Sequence, residues 1–363
     1  MSADPSFSAP SPTPAEGSPA SHSAPSGFYD RLLWDYGTRE RNLIGMSVFR
    51  IVAGLAILLQ FLINYAQRHY LFGPEGVYPW DVFEKGVAGS QLFSIYSLSS
   101  SPIYFEVCFH LGILVATLWV LGWRTRWLTP LTFIFWWSLE HRFPGIWDGG
   151  DNILRIVLIF ATFADLGAHF SLDARRREKL PPAALTEPRA AALFHNAALL
   201  AIAIQLCLLY GIAGLSKVQG ETWRDGTALY YALRGGQYTW PGFSELVYQN
   251  VYLVVLFSYI TVAFQIAFTF FFFMNRITRR LVLFMSIMFH LGIMSFMGLV
   301  TFSSFMMSVD LALLSDDEYL GAARWWKATW GRIRRRWGAP ERAASSIEQL
   351  SGTATKSSAD LTP

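Results

Sequence analysis

The chain has 363 residues, 53% of them apolar and 15% charged, whereas a soluble domain carries about 25% charged residues. With a mean hydropathy of +0.31 despite polar termini, this composition excludes two ordinary soluble domains and equally excludes a disordered chain. A net charge of +3, unevenly spread, gives no footprint for nucleic acid as a partner. The composition specifies an all-α integral membrane protein in contact with lipid, and its 14 Trp are the rings that gather at membrane–water boundaries.

Residues 1–27 are rich in Ser, Pro and Ala, with neither a basic start nor an apolar core. They read as a disordered tail and not as a signal peptide. A membrane domain then occupies 28–316. A span needs about 20 apolar residues; the runs 43–66, 191–214 and 248–274 meet that length, and 103–122 and 153–170 come close. The run 127–140 is short and Trp-rich. The stretch 281–314 contains Asp310 and is too long for one helix, so division at Gly298 gives two short spans and about eight in all. Residues 317–338, with Trp326, Trp330, Ile333 and Trp337 at helical spacing among Arg and Lys, form a basic helix suited to the headgroup layer. Residues 339–363 read as a second disordered tail.

Charge sets the expected sidedness. With eight spans, 21 Lys and Arg fall on one side and six on the other, namely Arg68, Lys85, Arg142, Lys217, Arg224 and Arg234, while Arg50 and Arg155 lie within spans. Basic residues are retained in the cytoplasm, so the expectation is a multi-pass protein of the cell membrane with both termini cytoplasmic. Three loops then share the outer side: 67–102, 141–152 (HRFPGIWDGGDN) and 215–247, each with Gly-rich turns beside Trp and charged residues. Their convergence would make an extracytoplasmic site. Cys108 and Cys207 lie in apolar runs and offer neither a disulfide framework nor a zinc spacing.

Several ionisable residues stand out. Lys217 follows the apolar run ending at Leu215; a lysine there either snorkels to water, the commoner role, or is desolvated enough to act as an amine base. Asp148 and Asp151 can cap the helix that follows them, and Asp151 can pair with Arg155 one turn on. Glu106, His110, His290, Arg50 and Asp310 fall at membrane depth, where ionisable groups face the bundle interior. Glu106, His110, Arg50, Arg155 and Asp310 are expected to build a structural polar network. No metal site is expected, since neither HExxH nor a close His pair is present even with His141 and Asp148 nearby.

The run YGIAGLSKVQGETWRDGTALYY resembles the hallmark segment of the HTTM (horizontally transferred transmembrane) family, which is related to vitamin K-dependent gamma-glutamyl carboxylase. RIVAGL, LGWRTR, WDGGDNILRI and FHLGIMSFMGLVTFSSFMMSVDLALL follow the family order, over roughly residues 40–315. The bacterial branch includes membrane proteins needed to mature or export a secreted sporulation-delaying toxin. The resemblance implies that Lys217, in AGLSK, acts as base on a reduced quinone of the menaquinone or vitamin K type, and that His290, which opens a segment similar to the family's Phe-His stretch, has its role in the membrane core. Where the carboxylases have a histidine shortly after the tryptophan of the loop before span four, this chain reads Trp147-Asp148-Gly149-Gly150. The combined expectation is a site with Lys217, Asp148 and Asp151 as catalytic groups and Trp147, Trp223, Asp225 and His290 binding the substrate, a secreted peptide or protein. A non-catalytic accessory for peptide binding or export is the first alternative, and a small-solute transporter the second.

Overall fold

The computed structural model describes residues 37, 39–90, 93–181 and 189–334. The expected tails 1–27 and 339–363, and residues 335–338 of the expected interfacial helix, lie outside the described residues. Eight principal helices follow one another: α1 Leu43–Ile63, α2 Pro102–Leu121, α3 Thr125–Arg142, α4 Gly149–Ala161, α5 Arg189–Gln219, α6 Val251–Met274, α7 Arg276–Met297 and α8 Val300–Ala312. A further helix, α9, covers 316–334. Helices α1, α2, α5, α6 and α7 are long and apolar enough to cross a membrane, α8 is a shorter apolar helix, and no strand occurs among the described residues. The protein is an all-helical membrane protein.

Local sequence explains the boundaries. Ser101 caps α2 ahead of Pro102, a residue tolerated in the first turn because its missing N–H has no intrahelical partner there. The turn from α6 to α7 is Asn275 alone, which closes a capping box with Thr278. The apolar stretch 281–314 breaks at Gly298, whose φ of +68° is left-handed backbone that ends one helix before the next begins. Run 153–170 requires correction. The helix starts earlier, at Gly149, and stops at Ala161, because the Asp148 cap lies upstream and the carbonyls from Leu166 onward are turned away to another partner.

That partner is Arg50. Its side chain is buried within the bundle, and its guanidinium donors all meet carbonyls: Nε donates to Leu166, Nη1 to Trp119 and Val120, and Nη2 to His169 and Phe170. The bond to Leu166 is 3.0 Å and that to Phe170 is 2.8 Å. Asp173 supplies a countercharge while accepting the amides of Arg124 and Thr125 at 3.0 and 2.8 Å. Arg124 and Phe170 hold positive φ on either side of this junction, a conformation that costs non-glycine residues free energy and persists only where the surroundings enforce it.

Packing is most extensive between α1 and α8, and α8 also touches α4 and α7, which makes the short last helix the centre of the bundle. Met46, Phe49 and Ala53 of α1 and Phe305, Met306 and Val309 of α8 are buried there. Successive helices alternate in direction. One end of the bundle, the loop end, carries the segments 64–101, 143–148 and 220–250; the opposite, basic end carries the Arg50 junction and the Arg279–Glu318 and Arg280–Glu318 ion pairs.

Arg50→Met should destabilise the detergent-solubilised protein by about 3–5 kcal/mol, because it leaves buried carbonyls without donors. Arg50→Lys should recover less than half of the loss, since an ammonium has three donors and no planar fork. Thermal melts of the three proteins check this; equal melting of R50M and wild type would overturn the role assigned to Arg50.

Candidate functional site

At the loop end, α3 and α4 meet around a cluster of acids and rings. Asp148 caps α4: its Oδ1 accepts from the amides of Gly150 and Asp151 at 2.7 and 3.2 Å, and its own amide donates to Asp151 Oδ2 at 2.9 Å. This reciprocal box is why WDGGD starts a helix. The capping turn precedes the apolar part of α4, which begins at Ile153. A Cβ on Gly150 would come within 2.9 Å of Phe302 Cα, so the glycine lets α4 approach α8.

The Asp151 carboxyl faces that of Glu140 on α3, and both residues are only 5% exposed. Two facing carboxylates inside a protein repel each other, which makes double ionisation of the pair costly. Glu140 Oε1 is buried and has no hydrogen-bond partner among the described residues. Burial raises the Asp148 carboxyl above the usual aspartate range, against the two amides that stabilise its charge.

Rings enclose this pair. His141 lies against Trp137, with centroids 4.0 Å apart, and meets Trp147 edge-on at 4.6 Å. Its Nδ1 donates to the Trp137 carbonyl at 2.7 Å, which leaves Nε2 as the acceptor nitrogen. Arg155 does not form the expected ion pair with Asp151. Its guanidinium lies over Trp137 and Trp147, 5.5 and 6.0 Å from the ring centroids, because Asp151 is already engaged by the cap and by Glu140.

The loops 67–102 and 141–152 converge on this cluster. Trp137 donates to the Phe93 carbonyl at 2.8 Å, and Ser138 accepts from the Ser94 hydroxyl and the Ile95 amide. Arg142 donates to the carbonyls of Tyr78 and Gly73 and lies over the Phe83 ring at 4.8 Å. The third loop packs beside them on α6 and α7, with Ser244 donating to the Phe296 carbonyl and Trp240 covering Gly298.

Lys217 ends α5, with Nζ 3.5 Å from the Ala213 carbonyl and 5.2 Å from the centroid of Trp223. Asp225 closes the short helix Glu221–Arg224 that carries Trp223. These three residues form one group and Trp147, Asp148 and Asp151 another; the contacts described for Lys217 are with the first group. Glu106 makes a third cluster, with Arg68 at 2.9 Å, His69 at 2.5 Å and His110 at 3.1 Å, and Tyr65 bonds His110 at 3.0 Å.

Deeper in the bundle, His290 Nε2 lies 2.8 Å from Tyr210 Oη, which lies 2.6 Å from Ser286 Oγ; Ser286 donates to Asp310 Oδ2 at 2.6 Å. Asp310 therefore joins α8 to α5 and α7, not to Arg50, which is engaged by the carbonyls of its own junction. Phe302 touches both the His290 ring and the glycines of the capping loop, linking this chain of bonds to the site above. Glu140, Tyr210 and Ser286 escape a reading of the sequence: Glu140 looks like the end of an apolar span, and the hydroxyls look like ordinary helix residues.

An apolar cavity of about 390 Å³ opens between α6 and α7, lined by Phe257, Phe264, Phe284, Phe289 and Phe296 and covered by Leu233. Its aromatic and aliphatic walls suit the polyprenyl chain of a quinone, but Lys217 does not line it.

Tyr210→Phe removes only the bridging hydroxyl and should cost about 1–3 kcal/mol, as expected for buried partners left unpaired, read as a lowered Tm.

No family model matches the chain, and no solved structure matches it. Among curated proteins, the sporulation-delaying protein SdpB of Bacillus subtilis (strain 168) is similar: 24% identical over 276 residues, covering 74% of this chain and 80% of that protein.

Proposed function

We propose that the protein is a membrane factor in the maturation or export of a secreted peptide, acting at the loop end of its bundle. The observation that carries this reading is the Glu140–Asp151 carboxyl pair, held under two folded loops and ringed by His141, Trp137, Trp147 and Arg155. A buried pair of facing carboxyls suits general acid–base work on a polar substrate, and the arginine and indoles suit binding of a peptide. The similarity to SdpB and the resemblance to the HTTM family support a peptide as the substrate.

In this reading α1–α8 all cross the membrane. An even number of crossings returns the chain to its starting side, and the 21-to-six division of Lys and Arg favours cytoplasmic termini and an extracytoplasmic loop end. The membrane domain covers 28–316, and α9 lies in the interface, its Trp326 and Trp330 exposed and stacked 6.1 Å apart.

Lys217 has two readings. As a base it would need its neutral amine, whereas the face of Trp223 favours the ammonium. That seat favours a binding role, in which Lys217 and Asp225 extend the peptide surface beside the carboxyl site. A quinone of the menaquinone type would occupy the apolar cavity between α6 and α7; since Lys217 does not line it, we derive no proton transfer between them.

A host deleted for this protein and complemented with variants tests the proposal, with mass spectrometry of peptides in the medium as the readout. Glu140→Gln and Asp151→Asn should lower the mature peptide by about 100-fold or more, the scale of a lost acid–base group, at unchanged membrane levels of the protein. Lys217→Arg should leave the mature peptide in place if charge and reach suffice. Normal maturation in both carboxyl variants would overturn the site, and loss in K217R would restore the lysine as base.

A further inference from the structure

The basic end holds a cavity of about 840 Å³ between the start of α1, α5, and the α6–α7 turn. Its polar rim carries Arg39, Arg41, Arg276, Arg279 and Arg280, with Glu40, Asp316 and Asp317 as the acids; its wall is apolar, formed by Leu199, Leu200, Phe272 and Phe273. The acids are partly spent. Asp316 accepts the amides of Leu43 and Ile44 at 3.2 and 2.8 Å, where it serves as a cap for α1. Outside the cavity, Glu318 serves two arginines at once, at 3.4 Å from Arg279 and 2.6 Å from Arg280.

Positive charge remains. Among the described residues, no carboxylate forms a salt bridge with Arg276 or Arg39, and Arg279 Nε is buried without a hydrogen-bond partner. The Asn275 cap uses its side chain on the amides of Ile277 and Thr278, so it leaves the rim to the arginines. Beside them the wall continues onto the outer face of the bundle through Leu200 and Phe273, which are 46% and 56% exposed.

A guanidinium rim next to an exposed apolar wall matches one class of molecule: an amphiphile with a phosphate at its head and acyl chains below it. Arginine binds phosphate bidentately and is weakly hydrated, and basic pockets between membrane helices take anionic headgroups. We propose that this cavity binds an anionic phospholipid, its phosphate on Arg276 and Arg279 and an acyl chain along Leu200 and Phe273. This proposal rests on the reading of the basic end as a membrane boundary and is independent of any activity at the loop end. The lipid would tie α1, α5 and α7 together and answer the unpaired Arg279 Nε.

The test uses full-length protein, stripped of lipid in neutral detergent, with thermal stability as the readout. Phosphatidylglycerol should raise Tm by several degrees, whereas phosphatidylcholine and inorganic phosphate at equal concentration should not. Arg39→Gln combined with Arg276→Gln removes only side chains without an ion pair among the described residues, so it should fold, and it should lose at least half of the phosphatidylglycerol shift. Lys327→Gln combined with Arg332→Gln in α9 should keep the shift, which separates the cavity from general attraction to anionic lipid. Equal shifts in all three proteins, or a shift with inorganic phosphate as large as with the lipid, would overturn the proposal. Should the R39Q/R276Q protein fail to fold, counting bound phosphatidylglycerol on wild type by native mass spectrometry decides it: retention of no lipid beyond that seen with phosphatidylcholine counts against the site.

Discussion

Backbone carbonyls that leave a helix in an apolar environment must find donors or lose several kcal/mol each in hydrogen bonding. In this bundle one side chain meets that demand at the junction of three segments: the Arg50 guanidinium gives its donors to carbonyls at the end of α2 and in the turn after α4. The consequence runs through the fold. With that turn anchored, α4 can end at Ala161, the chain can double back to α5, and Asp173 can hold the amides that begin α3. Arg50 opens the segment RIVAGL and binds carbonyls at the end of the helix that the segment LGWRTR closes.

The two ends of the molecule use charge in opposite ways. At the basic end, acids serve as caps and shared counterions, as Asp316, Asp173 and Glu318 do, and arginines are left in excess. At the loop end, Arg142 is consumed in holding the loop around Tyr78 and Gly73, while acids gather without enough cations to neutralise them. Arg155 is withdrawn onto indole faces, and Glu140 and Asp151 face each other instead. A bundle built for stability alone would not bury such a pair, because an apolar replacement of similar volume is often as stable.

The pattern of apolar runs made the helices legible, and the last run could be divided only at a glycine, Gly292 or Gly298, of which Gly298 takes the left-handed backbone. The caps at Asp148 and Asp151 were equally legible, since a carboxylate before a glycine pair and a helical run has a local role that spacing alone defines. Loop convergence was legible only in outline: charge counts put three loops on one side, and they say nothing of which loops touch. Run 153–170 misled because apolar composition continues through Phe163 and Leu166, while the helix is ended by a distant arginine that no local pattern reveals.

What the sequence determined by itself is the set of properties that follow from neighbours along the chain: an all-helical membrane protein, the approximate helix limits, the α4 cap and the excess of positive charge in alternate connections. Tertiary structure alone decided the partners. It set Glu140 against Asp151, 11 positions apart; joined Tyr210, Ser286, His290 and Asp310 into one chain of bonds; and seated Lys217 on Trp223 while Asp148 and Asp151 belong to another group. The physical reason is range. Propensity, capping and hydrophobic period act within a turn or two of helix, whereas the facing of two carboxyls or the filling of a guanidinium's donors depends on which helices pack together, and that is settled by the whole bundle.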